Sequence, residues 1–100
     1  METVTIVVIA TRFDLGRVLT TPGAEQAMNE AGISYESLLS RHAAGDWGDL
    51  DEDDKRANDL ALASGEDRIF SAYRLLTGET VWLITEADRS ATTALLPSEY

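Results

Sequence analysis

The spacing of the apolar residues changes at Gly65, and that change restricts the fold more than any other feature of the chain. Before it, apolar residues recur at the three- and four-residue intervals of amphipathic helices. After it, short β-branched and aromatic runs are separated by turn residues. Helices followed by strands predict an α+β domain, with three helices packed on one face of a mostly antiparallel sheet of three to five strands. One hundred residues make a single domain, 1–100, large enough for one core without staples. The chain has no cysteine, which removes disulfides and thiolate metal sites and agrees with a reducing, cytoplasmic setting.

Thr3–Ile9 is β-branched and reads as a strand, and Arg12–Thr20 as a second extended piece with a bend or bulge at Gly16. The most apolar N-terminal run, Ile6–Ala10, is too short to span a membrane, and the residues before it carry Glu2 rather than Lys or Arg, so neither a membrane span nor a signal peptide is expected. Thr21 followed by Pro22 opens a helix with inward Ala24, Ala27, Met28 and Ala31, closed by Gly32. Ser34 caps a second, whose stripe is Tyr35, Leu38, Leu39, His42 and Ala43. Asp49 and Glu52 have the spacing of a capping box, which starts a third helix near Leu50. It runs to Ser64, with Ala57, Leu60, Ala61 and Ser64 inward. Arg68–Leu75, Thr80–Glu86 and Thr92–Leu96 then read as an antiparallel meander, with Gly78 supplying the positive φ of the first turn. Apolar groups fall on both faces of these strands, so the second sheet face is either covered or an interface.

Charge is unevenly distributed. Glu25–Asp67 holds 12 acids against three bases, net −9 of the total −10. Such a field repels phosphates and anionic lipid and attracts basic surfaces. Its densest part is Gly45–Asp59, where Asp46, Asp49, Asp51, Glu52, Asp53, Asp54 and Asp59 surround Trp47. Carboxylates there suit the positive end of a helix dipole, and they also suit display to a partner. Trp47 either pins this loop to the domain or serves as an interface anchor.

No catalytic constellation stands out. Asp49, Asp51 and Asp53 open like a calcium loop, but Asp54 stands where the turn needs glycine and Leu60 where a bidentate Glu is needed, so no metal is expected. His42 is the only histidine and lacks a partner group in sequence, which favours a packed histidine over a base. There is no nucleophile elbow or phosphate-cradling loop, and no cofactor is expected. Arg68, Arg74 and Arg89 form no basic stripe and are expected to pair with nearby acids.

Phe13–Gly16 with Thr21–Ala24, Gly45–Leu50 with Lys55–Asn58, and Thr85–Ser90 with Leu95–Tyr100 together resemble a family of small accessory proteins carried by plasmids, phages and other mobile elements. Some of its members are labelled type I restriction subunits, although this chain has no methyltransferase cofactor motif. The similarity extends over nearly everything after Thr11. It implies an accessory role for a mobile element and supplies no active residues. A looser likeness is to small microbial ribonucleases and related toxins, in which helices precede an antiparallel sheet.

The expectation that joins charge to resemblance is an inhibitor of a host defence nuclease complex, anti-CRISPR or anti-restriction. It would act by nucleic-acid mimicry on the complex's basic nucleic-acid-binding surface. Its partner-binding residues would be Asp46, Trp47, Asp49, Asp51, Glu52, Asp53, Asp54 and Asp59, with no direct contact to nucleic acid or membrane. A ribonuclease-like enzyme using Arg74, Asp88 and Arg89 is one alternative. The other is a structural homodimer formed through the second sheet face.

Overall fold

The computed structural model describes residues 11–100, and the Thr3–Ile9 strand expected from sequence lies outside them. Local signals set the first two helices. Helix α1, Pro22–Ala31, begins where the Thr21 hydroxyl accepts the Ala24 N–H at 3.1 Å. It ends at Gly32, whose left-handed backbone lets the Ile33 N–H reach back to the Met28 carbonyl at 3.0 Å. Helix α2, Tyr35–Ala43, is capped by Ser34 and buries Leu38, His42 and Ala43. Among the described residues no helix is long and apolar enough to cross a membrane.

Helix α3, Glu52–Ser64, departs from expectation twice. Its cap is Asp51, which accepts the Asp54 N–H at 2.8 Å, and not Asp49. Its buried positions are Asn58 and Ala61, while Leu60 is 71% exposed and Ala57 and Ser64 face outward. The helix is therefore rotated to bring a polar amide inward, where Asn58 bonds to the backbone of Phe70.

Four strands form one sheet in the order β1-β4-β3-β2. They are β1 (Arg17–Thr20), β2 (Ile69–Arg74), β3 (Thr80–Thr85) and β4 (Ala91–Leu95). The expected meander is present, with β2, β3 and β4 pairing antiparallel. Strand β1 adds to it in parallel with β4, Val18 opposite Thr92 and Leu19 opposite Thr93. Gly16, at φ +64, makes the bend that delivers the chain into β1. The fold is the α+β arrangement read from the sequence.

Alternation places Ile69, Ser71, Tyr73, Val81, Leu83, Thr85, Thr92 and Ala94 on one face, all buried. Ala24, Ala27 and Met28 of α1 and Leu38 of α2 pack there around Tyr73, Val81, Leu83 and Ala94. Ala61 of α3 joins Trp47 and Ile69 in a second cluster at the β2 side, so all three helices cover the same face. On the other face Phe70 meets Trp82 edge-on at 4.9 Å, and Trp82 meets Tyr100 at 5.7 Å. A single 3-10 turn, Pro97–Glu99, carries Tyr100 there. The Glu99 carboxylate fixes that turn by accepting the Leu96 N–H and the Thr21 hydroxyl, both at 2.7 Å. This explains why apolar residues occupied both faces of the strands in sequence.

Candidate partner-binding surface

The acidic loop leaves α2 at Gly45 and is tied down residue by residue. Arg41 donates Nε–H to Asp46 at 2.7 Å, and the other carboxylate oxygen of Asp46 accepts the Gly48 N–H at 3.1 Å. The Arg41 hydrogen bond, with the Gly48 N–H behind it, holds the Asp46 carboxyl below its ordinary range. The buried Tyr73 hydroxyl, pushed up to about 12 by desolvation, donates to the Asp46 carbonyl at 2.6 Å. Trp47 is 5% exposed and donates its indole N–H to Asp59 at 3.2 Å. Its burial corrects the reading of Trp47 as an exposed anchor for a partner: the ring pins the loop to the domain.

Gly48 then runs alongside β2 as an isolated parallel bridge to Ala72. Ala72 donates to the Trp47 carbonyl at 3.2 Å, and the Asp49 N–H donates to the Ala72 carbonyl at 2.7 Å. At Gly48 φ is +73, and a Cβ there would lie 2.1 Å from the Ala72 oxygen, so only glycine permits the approach. One residue pair further on, the Asp49 carboxylate accepts the Arg74 N–H at 2.8 Å. One pair back, the Asn58 amide takes both backbone groups of Phe70: it accepts the N–H at 3.0 Å and donates to the C=O. The outer edge of β2 is thus closed along its length by a loop and a helix side chain, which blocks edge-to-edge pairing. An apolar residue at position 58 could not do this, and that is why α3 is rotated.

The predicted site residues therefore divide into two sets. Asp46, Asp49, Asp51 and Asp59 bond to the protein itself and fix the loop. Glu52, Asp53 and Asp54 occupy the first turn of α3, exposed and facing solvent. Lys55 lies 3.7 Å from Glu52, and Arg56 bonds to Asp53. Both pairs lie on the exposed helix surface, where such contacts are weak and readily exchanged. Asp54, with Asp67 and Arg68, borders a cleft of about 250 Å³ floored by Ala57, Asn58 and Phe70. Among the described residues, no group of three or more histidine and acidic side chains converges as a metal site.

His42 is fully buried at the centre of a hydrogen-bonded chain that sequence reading did not reveal. Its Nδ1 lies 2.5 Å from the Ser71 hydroxyl and its Nε2 2.9 Å from that of Thr85. Thr85 lies 2.7 Å from Thr92, and Thr92 donates to the Leu15 carbonyl at 2.8 Å. The carbonyl at the end sets the direction of every bond. Thr92 uses its proton on Leu15, so Thr85 donates to Thr92, His42 donates Nε2–H to Thr85, and Ser71 donates to Nδ1. The imidazole is neutral, and desolvation lowers its pKa to about 4. Phe13 and Trp47 stand edge-on to the ring at 5.2 and 6.0 Å. Ser71, Thr85 and Thr92 are as buried as His42, so the serine beside the imidazole faces no substrate. Only the hydroxyls on alternate strand positions hinted at the chain in the sequence.

The three residues of the ribonuclease-like alternative are not brought together. Arg74 pairs with Thr80 at one end of β2, whereas Asp88 and Arg89 form the turn beyond the Ile69–Thr85 pair at the other end. Five residues of strand separate these ends by roughly 17 Å. The Arg89 guanidinium donates to the carbonyls of Asp67, Glu86, Ala87 and Ala61, and so fastens the β3–β4 turn to the end of α3. This corrects the expectation that Arg89 pairs with acids. Asp88 accepts the Ser90 N–H in the same turn. Arg68 stacks over Tyr100 at 5.2 Å. No protein-family model, curated protein or solved structure matches the chain.

Proposed function

We propose that this protein is a non-enzymatic, cytoplasmic, acidic accessory protein of a mobile element. In this reading it inhibits a host defence nuclease complex, of the CRISPR or restriction type, by occupying that complex's basic nucleic-acid-binding surface. The supporting observation is the division of labour among the carboxylates. Asp46, Asp49, Asp51 and Asp59 hold the loop and the start of α3 rigidly against β2, leaving Glu52, Asp53 and Asp54 outward on a fixed turn. Charges presented on a preorganised backbone bind without first ordering a flexible segment, which is the main cost a mimic of a stiff polyanion must avoid. The resemblance to mobile-element proteins supplies the class of partner. The ribonuclease-like alternative has less support, because Arg74 lies at the other end of β2 from Asp88 and Arg89, and Arg89 is occupied by carbonyls.

The test is capture of defence nuclease subunits from a host lysate by immobilised protein, at ~50 mM and ~500 mM salt. Wild type is expected to retain them at low salt and release them at high salt. A Glu52→Gln/Asp53→Asn/Asp54→Asn variant is expected to retain them in neither. Retention that ignores both salt and the triple substitution overturns the electrostatic reading.

A further inference from the structure

The two edges of the sheet differ. The outer edge of β2 is closed by the loop at 47–49 and by Asn58. Strand β1, at the opposite edge, pairs only with β4 among the described residues. The Arg17 and Thr21 N–H groups donate inward, to the Ser90 and Ala94 carbonyls at 2.9 and 3.0 Å. Backbone groups alternate in direction along a strand, so those of Val18 and Thr20 point away from the sheet, where a further strand can pair with them. Val18, level with Thr92, lies on the helix-covered face and is 46% exposed; Leu19, level with Thr93, lies on the other face and is 40% exposed. Apolar side chains thus flank the open edge on both sides.

Thr11 and Leu15, just ahead of β1, line an apolar cleft of about 240 Å³ together with Glu36, Leu39, Ser40 and Ala43 of α2. Thr11 is bonded to Ala10, so residues 1–10 start at the wall of this cleft. Two hydrogen bonds fix the direction they take along it. The Arg12 N–H donates to the Ala43 carbonyl at 2.8 Å, and the Tyr35 hydroxyl donates to the Leu19 carbonyl at 2.7 Å. The entry point is therefore the C-terminal end of α2, and the cleft leads toward the end of β1. A segment laid back from Thr11 toward Glu36 consequently runs antiparallel to β1. The lengths agree as well: α2 rises ~10 Å from Ala43 to Glu36, and the four residues of β1 span ~13 Å. Residues 6–9, Ile-Val-Val-Ile, span the same ~13 Å when extended and carry no polar side chain on either face. One face suits the cleft and Val18, the other Leu19.

We propose that residues 3–9 dock on β1 as an antiparallel fifth strand, pairing with the backbone of Val18 and Thr20 and laying residues 6–9 over the cleft between Leu15 and α2. Tethered through Ala10, the segment acts at high effective concentration and keeps other strands off the edge. Both edges of the sheet are then closed from within the chain. The docking uses none of the carboxylates assigned to a partner, so its success or failure is read separately from that of the proposed function.

Amide hydrogen exchange of the full chain, read residue by residue by NMR, tests it, with sedimentation velocity on the same samples. The Val18 and Thr20 amides are expected to exchange slowly in monomeric wild type. In a full-length Ile6→Ser/Val7→Ser/Val8→Ser/Ile9→Ser variant they are expected to exchange ~100-fold faster or more, while the Arg17 amide, bonded to Ser90, keeps its rate. That unchanged amide shows that the variant is folded and that only the outer edge has opened. Fast exchange at Val18 and Thr20 in wild type overturns the proposal, as does slow exchange that survives the four substitutions. Protection that appears only as the protein dimerises overturns it too, and assigns the edge to a second copy.

Discussion

His42 donates its Nε2–H to the Thr85 hydroxyl across 2.9 Å, and that bond is oriented by a carbonyl two hydroxyls away at Leu15. The protein has thereby built a polar thread through the middle of its core, from Ser71 to Leu15, with one donor for every acceptor. Among the described residues no buried side-chain nitrogen or oxygen lacks a partner. Cutting the thread leaves buried groups unmatched, which costs about 1–3 kcal/mol for each. Thr85→Val keeps the shape but orphans the Nε2–H, and is expected to lower stability by about 2 kcal/mol in urea unfolding. His42→Leu strands both Ser71 and Thr85 and is expected to cost more than Thr85→Val.

Acid acts on the same thread. The folded pKa of His42, about 4, lies below its ordinary 6.5, so the unfolded chain takes up a proton first as pH falls. Stability is full above about pH 6.5 and declines progressively toward pH 4, by roughly 3 kcal/mol in all. The lowered carboxyls of Asp46 and Glu99 add their own loss only below their ordinary values of 3.8 and 4.5. Between pH 6.5 and 5 the decline therefore belongs to His42. Urea unfolding of His42→Gln across this interval is expected to show a nearly flat profile. A wild-type profile equally flat would mean that the imidazole is accessible to protons in the folded state.

Gly48 makes a sharper demand on the backbone than the glycines that close α1 and α3. Gly65 and Gly32 also adopt left-handed φ, +71 and +68, but nothing lies within 4 Å of a Cβ at either. Alanine at those caps is expected to cost about 1 kcal/mol, the ordinary penalty of that conformation. Gly48→Ala adds a collision with the Ala72 carbonyl, so the loop must leave the edge of β2. The expected loss is about 3 kcal/mol or more, together with fast hydrogen exchange at the Ala72 amide, whose partner is the Trp47 carbonyl.

What was legible in the chain followed the range of the interaction. Thr21, Ser34 and Gly32 act on backbone groups within a few residues, and their roles are as the sequence implied. The meander strands, joined by short turns, were equally readable. Asn58 was not, because its reason for facing inward is Phe70, twelve residues away on an edge strand that a pattern of apolar spacing cannot see. Asp49 and Asp51 are both acids three residues ahead of another acid. Only the long-range tie of Asp49 to Arg74 decides that Asp51 is the cap. The β1–β4 pairing and the His42–Thr85 bond, 43 residues apart in sequence, belong to the same class.

Those distant ties also separate the acids that shape the surface from the acids displayed on it, and the two sets have opposite expected phenotypes. Replacing Glu52, Asp53 and Asp54 by their amides removes favourable charge from the helix N-terminus, about 0.3–1 kcal/mol each, and relieves repulsion among three adjacent carboxylates. The net change in stability is expected to fall within about 1 kcal/mol, with exchange at Ala72 and Arg74 unchanged. Asp59→Leu instead leaves the buried Trp47 N–H without an acceptor and is expected to cost about 1–3 kcal/mol, whereas Asp49→Ala leaves the exposed Arg74 N–H to water and is expected to cost about 1 kcal/mol. Both are expected to speed exchange along the β2 edge. If the amide triple variant loosened that edge as much as Asp59→Leu does, the first turn of α3 would be part of the fastening, and loss of partner binding in that variant would report unfolding rather than lost charge.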